Sequence, residues 1–142
     1  MKKMKKIVII DGQGGKMGAA ILSQFKAVKL DCEIIAIGTN SAATAAMLKT
    51  GADAAATGEN PVIVNCCDAD IIAGPIGIIA ANSLLGEITP KMAAAISESK
   101  AQKILVPVNK CAITVVGTAD LPLGEYVKMV IAKSLELISY ED

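Results

Sequence analysis

Four β-branched residues in succession, Ile7, Val8, Ile9 and Ile10, run straight into the turn Asp11-Gly12-Gln13-Gly14-Gly15, and Met17, Ile21, Phe25 and Val28 then follow at helical spacing. A half-exposed strand alternates apolar with polar residues, so an unbroken apolar run of this kind belongs to a strand covered on both faces. A strand covered on both faces needs helices above and below it. The glycines then serve to turn the chain out of the sheet and into the first of those helices.

The alternation continues along the chain. Residues 33–38 read as a second buried strand, and 41–50 as an Ala-rich helix closed by Gly51. Residues 53–57 form a short third strand. In 60–67 Val62, Ile63 and Val64 favour strand while Pro61 suits a helical first turn, and a short helix is the reading taken. Residues 69–74 are a fourth strand. Thr89-Pro90 is a helix start, with Thr as N-cap and Pro at the first helical position, leading into 91–101. Residues 103–108 are the fifth strand. Asn109-Lys110 is then a turn into 112–116, an antiparallel partner at the sheet edge, and a last amphipathic helix runs from about 123 to 138. The fold class implied is α/β: a three-layer, Rossmann-like arrangement with a mostly parallel sheet and one antiparallel edge strand, in a single domain over residues 1–142. At 142 residues the chain suffices for one such core and leaves no separate substrate domain.

Composition narrows the chemistry. There is no histidine, which excludes Ser-His-Asp and Cys-His catalysis and zinc hydrolysis of the HExxH type. Fourteen basic residues balance fourteen acidic ones, and the aromatics are Phe25, Tyr126 and Tyr140, so neither a basic stripe nor stacking platforms exist for a nucleic acid. Cys32, Cys66, Cys67 and Cys111 have no metal-finger spacing and read as reduced, mostly buried thiols; no metal site is expected. The apolar run behind the N-terminal lysines is too short for a secretory signal. The longest uncharged stretch, 71–86, is broken by Gly74, Pro75, Gly77, Asn82 and Ser83, whereas a spanning helix needs about 20 apolar residues. A cytoplasmic protein without membrane contact is expected.

The candidate site is the glycine turn. Gly12, Gln13, Gly14, Gly15, Lys16, Met17 and Gly18 follow a buried strand and open a helix, the context in which backbone N–H groups and a helix N-terminus cradle a phosphate. The alternative is a tight turn that only packs the helix on the sheet. The strict G-x-G-x-x-G spacing is not met, since Met17 holds its last place, and the P-loop pattern fails for want of a Ser or Thr after Lys16. An NAD(P) reading also asks for an acid or an arginine at the tip of the second strand; Thr39 and Asn40 stand there instead, able to bond a ribose or phosphate, while Asn40 is equally an N-cap. Asp11 beside the glycines would repel a pyrophosphate unless Lys16 or a metal screened it. Because open α/β sheets bind ligands beyond the carboxyl ends of their strands, the turn at Gly74, Pro75 and Gly77 joins the set of candidate cofactor-binding residues. The cofactor is left as NAD(P) or another nucleotide. Asp11, Lys16, Glu59, Lys110 and Cys111 are the side chains with reactivity to offer, each with a plain alternative as surface charge or buried thiol.

Residues 75–87 are too apolar for a solvated loop and long for a βα connection. They form either a lid, presenting Asn82, Ser83 and Glu87 to a ligand, or part of a homo-oligomer contact. The turn is similar to the G-x-x-G-[RK]-M-G loop of dihydrodipicolinate reductases through Gly12, Gly15, Lys16, Met17 and Gly18. Over nearly its whole length the chain resembles a short bacterial family known only as a domain of unknown function, through residues 10–15, 38–40, 56–60, 74–77, 85–90 and 120–125. That resemblance implies a Rossmann-like fold and no particular activity. The expectation is a protein that binds a small anionic or nucleotide ligand at residues 12–18 and the strand ends. Its alternatives are a homo-oligomeric enzyme whose site is completed across subunits, and a structural or interaction subunit without ligand.

Overall fold

The computed structural model describes residues 4–108 and 112–140. Its elements are β1 (Lys5–Asp11), α1 (Lys16–Ala27), β2 (Cys32–Gly38), α2 (Ser41–Thr50), β3 (Ala54–Thr57), α3 (Glu59–Cys66), β4 (Ile71–Pro75), a 3-10 turn (Ile76–Ile79), α4 (Pro90–Glu98), β5 (Gln102–Val106) and α5 (Leu123–Tyr140). The five strands form one parallel sheet in the order β3-β2-β1-β4-β5. Chain order reverses between β1 and β4, so the two central strands have crossover helices leaving to opposite faces.

The pleat of β1 shows why its apolar run is continuous. Ile7 and Ile9 point to one face, where they meet Ile21, Leu22 and Phe25 of α1, Met47 of α2, and Val127, Val130 and Ile131 of α5. Val8 and Ile10 point to the other, against Val62 and Cys66 of α3 and Met92, Ala93 and Ile96 of α4. All four β1 residues are fully buried. This is the three-layer Rossmann-like α/β fold expected from the sequence, including the short helix that starts around Pro61. Thr89 caps α4 as its sequence implied, its side chain accepting from Met92 N at 3.1 Å.

The antiparallel edge strand is a correction. Residues 112–116 make no strand, and β5 is the parallel edge of the sheet; the turn assigned to Asn109 and Lys110 lies outside the described residues. The physical reason sits just beyond β5. Pro107 has no N–H to give a ladder, and Val108 N donates back to Val106 O at 3.0 Å, which turns the chain off the sheet edge. The valines that suggested a strand are left half-exposed or exposed, Val116 most of all, and Tyr126 of α5 ties this stretch down by donating its hydroxyl to Ala119 O.

Residues 75–87 are not an open loop either. Pro75 ends β4, the 3-10 turn follows, and Ile78 and Leu84, with Ile88 just beyond, are buried against α3 and α4, while Ile79 and Leu85 stay exposed. Among the described residues no helix is long and apolar enough to cross a membrane, and no group of three or more His, Cys, Asp or Glu could hold a metal ion.

Two local features yield tests. Gly15 lies at φ +72° and a Cβ there would stand 2.8 Å from the backbone of Ala43, whereas a Cβ at Gly14 meets nothing within 4 Å. Gly15→Ala is therefore expected to cost about 2–4 kcal/mol in urea unfolding, from left-handed strain and overpacking against a helix backbone that cannot yield, while Gly14→Ala stays within about 0.5 kcal/mol. Of the paired cysteines, Cys66 is buried and Cys67 exposed, and burial pushes the Cys66 thiol up to about 11. At pH 8 iodoacetamide should modify Cys67 readily and leave Cys66 unmodified until the protein unfolds, read by peptide mass mapping.

Candidate functional site

The carboxyl edge of the sheet is organised around Asp11. Parallel pairing with β2 carries β1 to this residue, two residues past the last β4 pair at Ile9, and its carboxylate is buried directly under the glycine turn. Its Oδ1 accepts from Gly12 N at 2.8 Å and its Oδ2 from Gly18 N at 2.6 Å. Its carbonyl accepts Thr39 N at 3.0 Å, which locks the tip of β2 beside the turn. Gly15 is the N-cap residue of α1 and supplies no side-chain cap. Asp11 takes over that duty from inside the sheet. Burial raises the Asp11 carboxyl above the usual carboxylate range, the nearby Glu87 charge pushes the same way, and the N–H groups of Gly18, Gly12 and Met17 offset part of the rise.

A second carboxylate closes the β2 side of the turn. Glu87 Oε1 accepts from Gln13 N at 2.9 Å, from the Thr39 hydroxyl at 2.5 Å and from Asn40 Nδ2 at 2.9 Å. Burial works against its charge, yet these bonds from Thr39, Gln13 and Asn40 outweigh it, and the Glu87 carboxyl lies below its ordinary value. Asn40 also caps α2 through Oδ1, which accepts from Ala43 N at 2.9 Å, and its amide donates to Gln13 O as well. The cap is thus real, and the remaining donors of Thr39 and Asn40 go to Glu87. Glycine at position 12 makes this packing possible: a Cβ there would stand 2.6 Å from Thr39 Oγ1, 2.8 Å from Glu87 Oε1 and 2.9 Å from Leu84 Cδ1.

On the other side of the turn, at the β1/β4 reversal, lies a cleft of about 300 Å³. Its floor is the turn itself, from Asp11 through Met17, and its walls are Pro75, Leu84, Val108 and Leu123. The crevice where strand order reverses is where open α/β sheets take their ligands. Of the residues singled out in sequence, Gly12, Gln13, Gly14, Gly15, Lys16, Met17 and Pro75 meet at this cleft. Gly18 turns its N–H inward to Asp11. Thr39 and Asn40 lie across the turn with Glu87. Gly74 packs on the β1 backbone at Ile10, and Gly77 against Ser83, so neither lines the cleft. Glu59 accepts the Thr89 hydroxyl at 2.6 Å and ties α3 to the start of α4. Lys110 and Cys111 lie outside the described residues. Two larger clefts lie nearby: one of about 700 Å³ along β5 and α5, and one of about 500 Å³ past the end of β5, lined by residues 113–121 and sharing Val108 and Leu123 with the glycine-turn cleft. Those two walls were not singled out in sequence, because an apolar residue just past a strand or at the start of a helix carries no motif, and Leu84 entered only as part of the 75–87 segment.

Residues 6–139 match the model of a family described as a domain of unknown function, DUF3842. The chain belongs to that family. No curated protein matches it in sequence. Among solved structures it is similar to a dodecameric FMN-dependent UbiX-like decarboxylase from Escherichia coli O157:H7, at 18% identity and a TM-score of 0.47, over 92% of this chain and 76% of that one.

The two carboxylates give opposite acid dependences. Glu87, with its folded value lowered, contributes stability that is present above its unfolded value near 4.5 and is lost as pH falls through the folded value; Asp11, raised, contributes below its unfolded value near 3.8 and loses that contribution as pH rises through the folded one. The Glu87→Gln variant should accordingly be less stable than the parent at pH 7, with the gap shrinking as pH falls below about 4.5, measured by urea midpoints across that range.

Proposed function

We propose that this chain binds a small phosphorylated molecule, a mononucleotide or sugar phosphate, with its anionic group over Gly14 and Lys16 and the remainder directed toward Val108 and Leu123. The observation that carries the reading is how the turn uses its donors. Gly12 and Gly18 give their N–H groups to Asp11, Gln13 gives its own to Glu87, and Gly15 donates to Gly12 O at 2.9 Å. Gly14 and Lys16 are exposed and have no backbone partner for their N–H groups among the described residues. They stand at the open start of a twelve-residue helix, where an anion is favoured. The Lys16 ammonium, with no ion pair among the described residues, supplies a full positive charge at the same rim. A cleft of about 300 Å³ is at the small end of ligand sites, roughly 300–1,000 Å³, and the adjoining space beneath residues 113–121 offers room for a base or sugar.

Thermal unfolding with AMP, FMN, ribose 5-phosphate and inorganic phosphate tests this directly. At about ten times its dissociation constant, a bound ligand should raise the midpoint by about 3–5 °C. Lys16→Ala, which touches nothing in the core, should weaken that ligand about tenfold, the worth of a charge-assisted hydrogen bond. No shift with any of the four, at millimolar concentration, would sink the reading.

A further inference from the structure

We propose that Glu87 is a built-in occupant of the β1/β2 side of the glycine turn, and that it confines the site to ligands with a single phosphate while turning away diphosphates and dinucleotides. The inference rests on the phosphorylated-ligand reading above and specifies its ligand class. A dinucleotide in an open α/β sheet crosses the first turn, its pyrophosphate against the glycine backbone and one ribose at the tip of the second strand. Here both places are filled by the chain. The ribose position is held by the Glu87 carboxylate, which takes the Thr39 hydroxyl, the Asn40 amide and the Gln13 N–H on one oxygen. The space over Gly12 is filled too, since a single added carbon would stand 2.8 Å from Glu87 Oε1 and 2.9 Å from Leu84 Cδ1. A second phosphate would meet a carboxylate where it needs a donor.

The segment that delivers Glu87 is not free to swing away. Asn82, Leu84 and Leu85 adopt left-handed backbone at φ 66°, 56° and 56°, a conformation that side-chain-bearing residues hold only when their surroundings enforce it. The enforcement is visible. Asn82 N donates to Ile88 O at 2.7 Å, Glu87 N to Leu84 O at 3.1 Å, and the Ser83 hydroxyl to Gly77 O. Leu84 and Ile88 anchor both flanks of the turn in the core. Anionic groups are therefore admitted only from the β4 side, where Lys16 stands, and there is room for one of them over Gly14.

Calorimetric titration of the parent, Glu87→Gln and Glu87→Ala with AMP, ADP, NAD, inorganic phosphate and pyrophosphate tests the proposal. The parent should bind AMP at least tenfold more tightly than ADP or NAD, and phosphate more tightly than pyrophosphate. Glu87→Ala should gain at least tenfold for ADP and NAD with AMP within about threefold, and Glu87→Gln, which keeps the shape and an acceptor oxygen but not the charge, should gain for ADP and pyrophosphate. Should the alanine variant fail to fold by circular dichroism, the glutamine variant decides by the same ratio. Equal binding of AMP, ADP and NAD by the parent, or an unchanged ratio in the variants, overturns the proposal and leaves the phosphorylated-ligand reading standing. Loss of NAD binding in both variants also overturns it, since Glu87 would then be holding ligand hydroxyls. If monophosphates fail to bind the parent and the variants still gain ADP and NAD, the role of Glu87 stands and the single-phosphate reading falls. If nothing binds any form, both fall.

Discussion

The carboxyl edge of this sheet depends on one buried carboxylate. Asp11 stands where the central strand ends, where the glycine turn begins and where the first helix must be capped, and its two oxygens take Gly12 N and Gly18 N. Without an acceptor there, a tight glycine turn would bury N–H groups with nothing to bond, a cost of roughly 1–3 kcal/mol for each. A carboxylate meets that demand, and in doing so it uses up part of the positive end of α1. The helix that would have attracted a phosphate at its third residue bonds the chain's own anion instead, and the N–H groups farther out on the turn, at the exposed Gly14 and Lys16, have no backbone partner among the described residues.

The same economy holds along the rest of the edge. In sequence, the polar residues gathered at the strand ends looked like ligands for something external. In the fold many of them bind one another: Thr39 and Asn40 bond Glu87, Glu59 bonds Thr89, and Asp11 bonds the turn. Polar groups at the end of a buried strand lie under loops and helix starts, and must be satisfied before any ligand arrives. Concentrated polarity at a sheet edge is therefore a sign of where a site can be, and the donors left over after this internal pairing define what it can hold.

Much of the fold was legible. The unbroken run at residues 7–10 required cover on both faces, and β1 has it; Thr89-Pro90 announced the start of α4; Pro61 sits in the first turn of α3, where its missing N–H costs nothing. Residues 112–116 misled because Val115 and Val116 favour strands wherever an edge is offered, while the departure of the chain at Pro107 and Val108 decides whether the edge is reached. The site was legible in its floor and in one wall, Pro75, and not in the others. A glycine turn between strand and helix is a local pattern. The placement of Leu84, Val108 and Leu123 around it depends on three separate segments converging in space.

Taken alone, the sequence determined that this chain forms a layered α/β sheet with a glycine turn at the end of its first strand, and that no histidine-dependent chemistry occurs on it. Both conclusions depend on residue type and local spacing, which short-range physics reads directly. Only the tertiary structure decided that Glu87, 74 residues beyond Gln13, lies against that turn and takes its N–H, and that the open side of the site faces β4. A contact of that separation is set by the packing of Leu84 and Ile88 into the core and by strained backbone between them, and no local pattern encodes it.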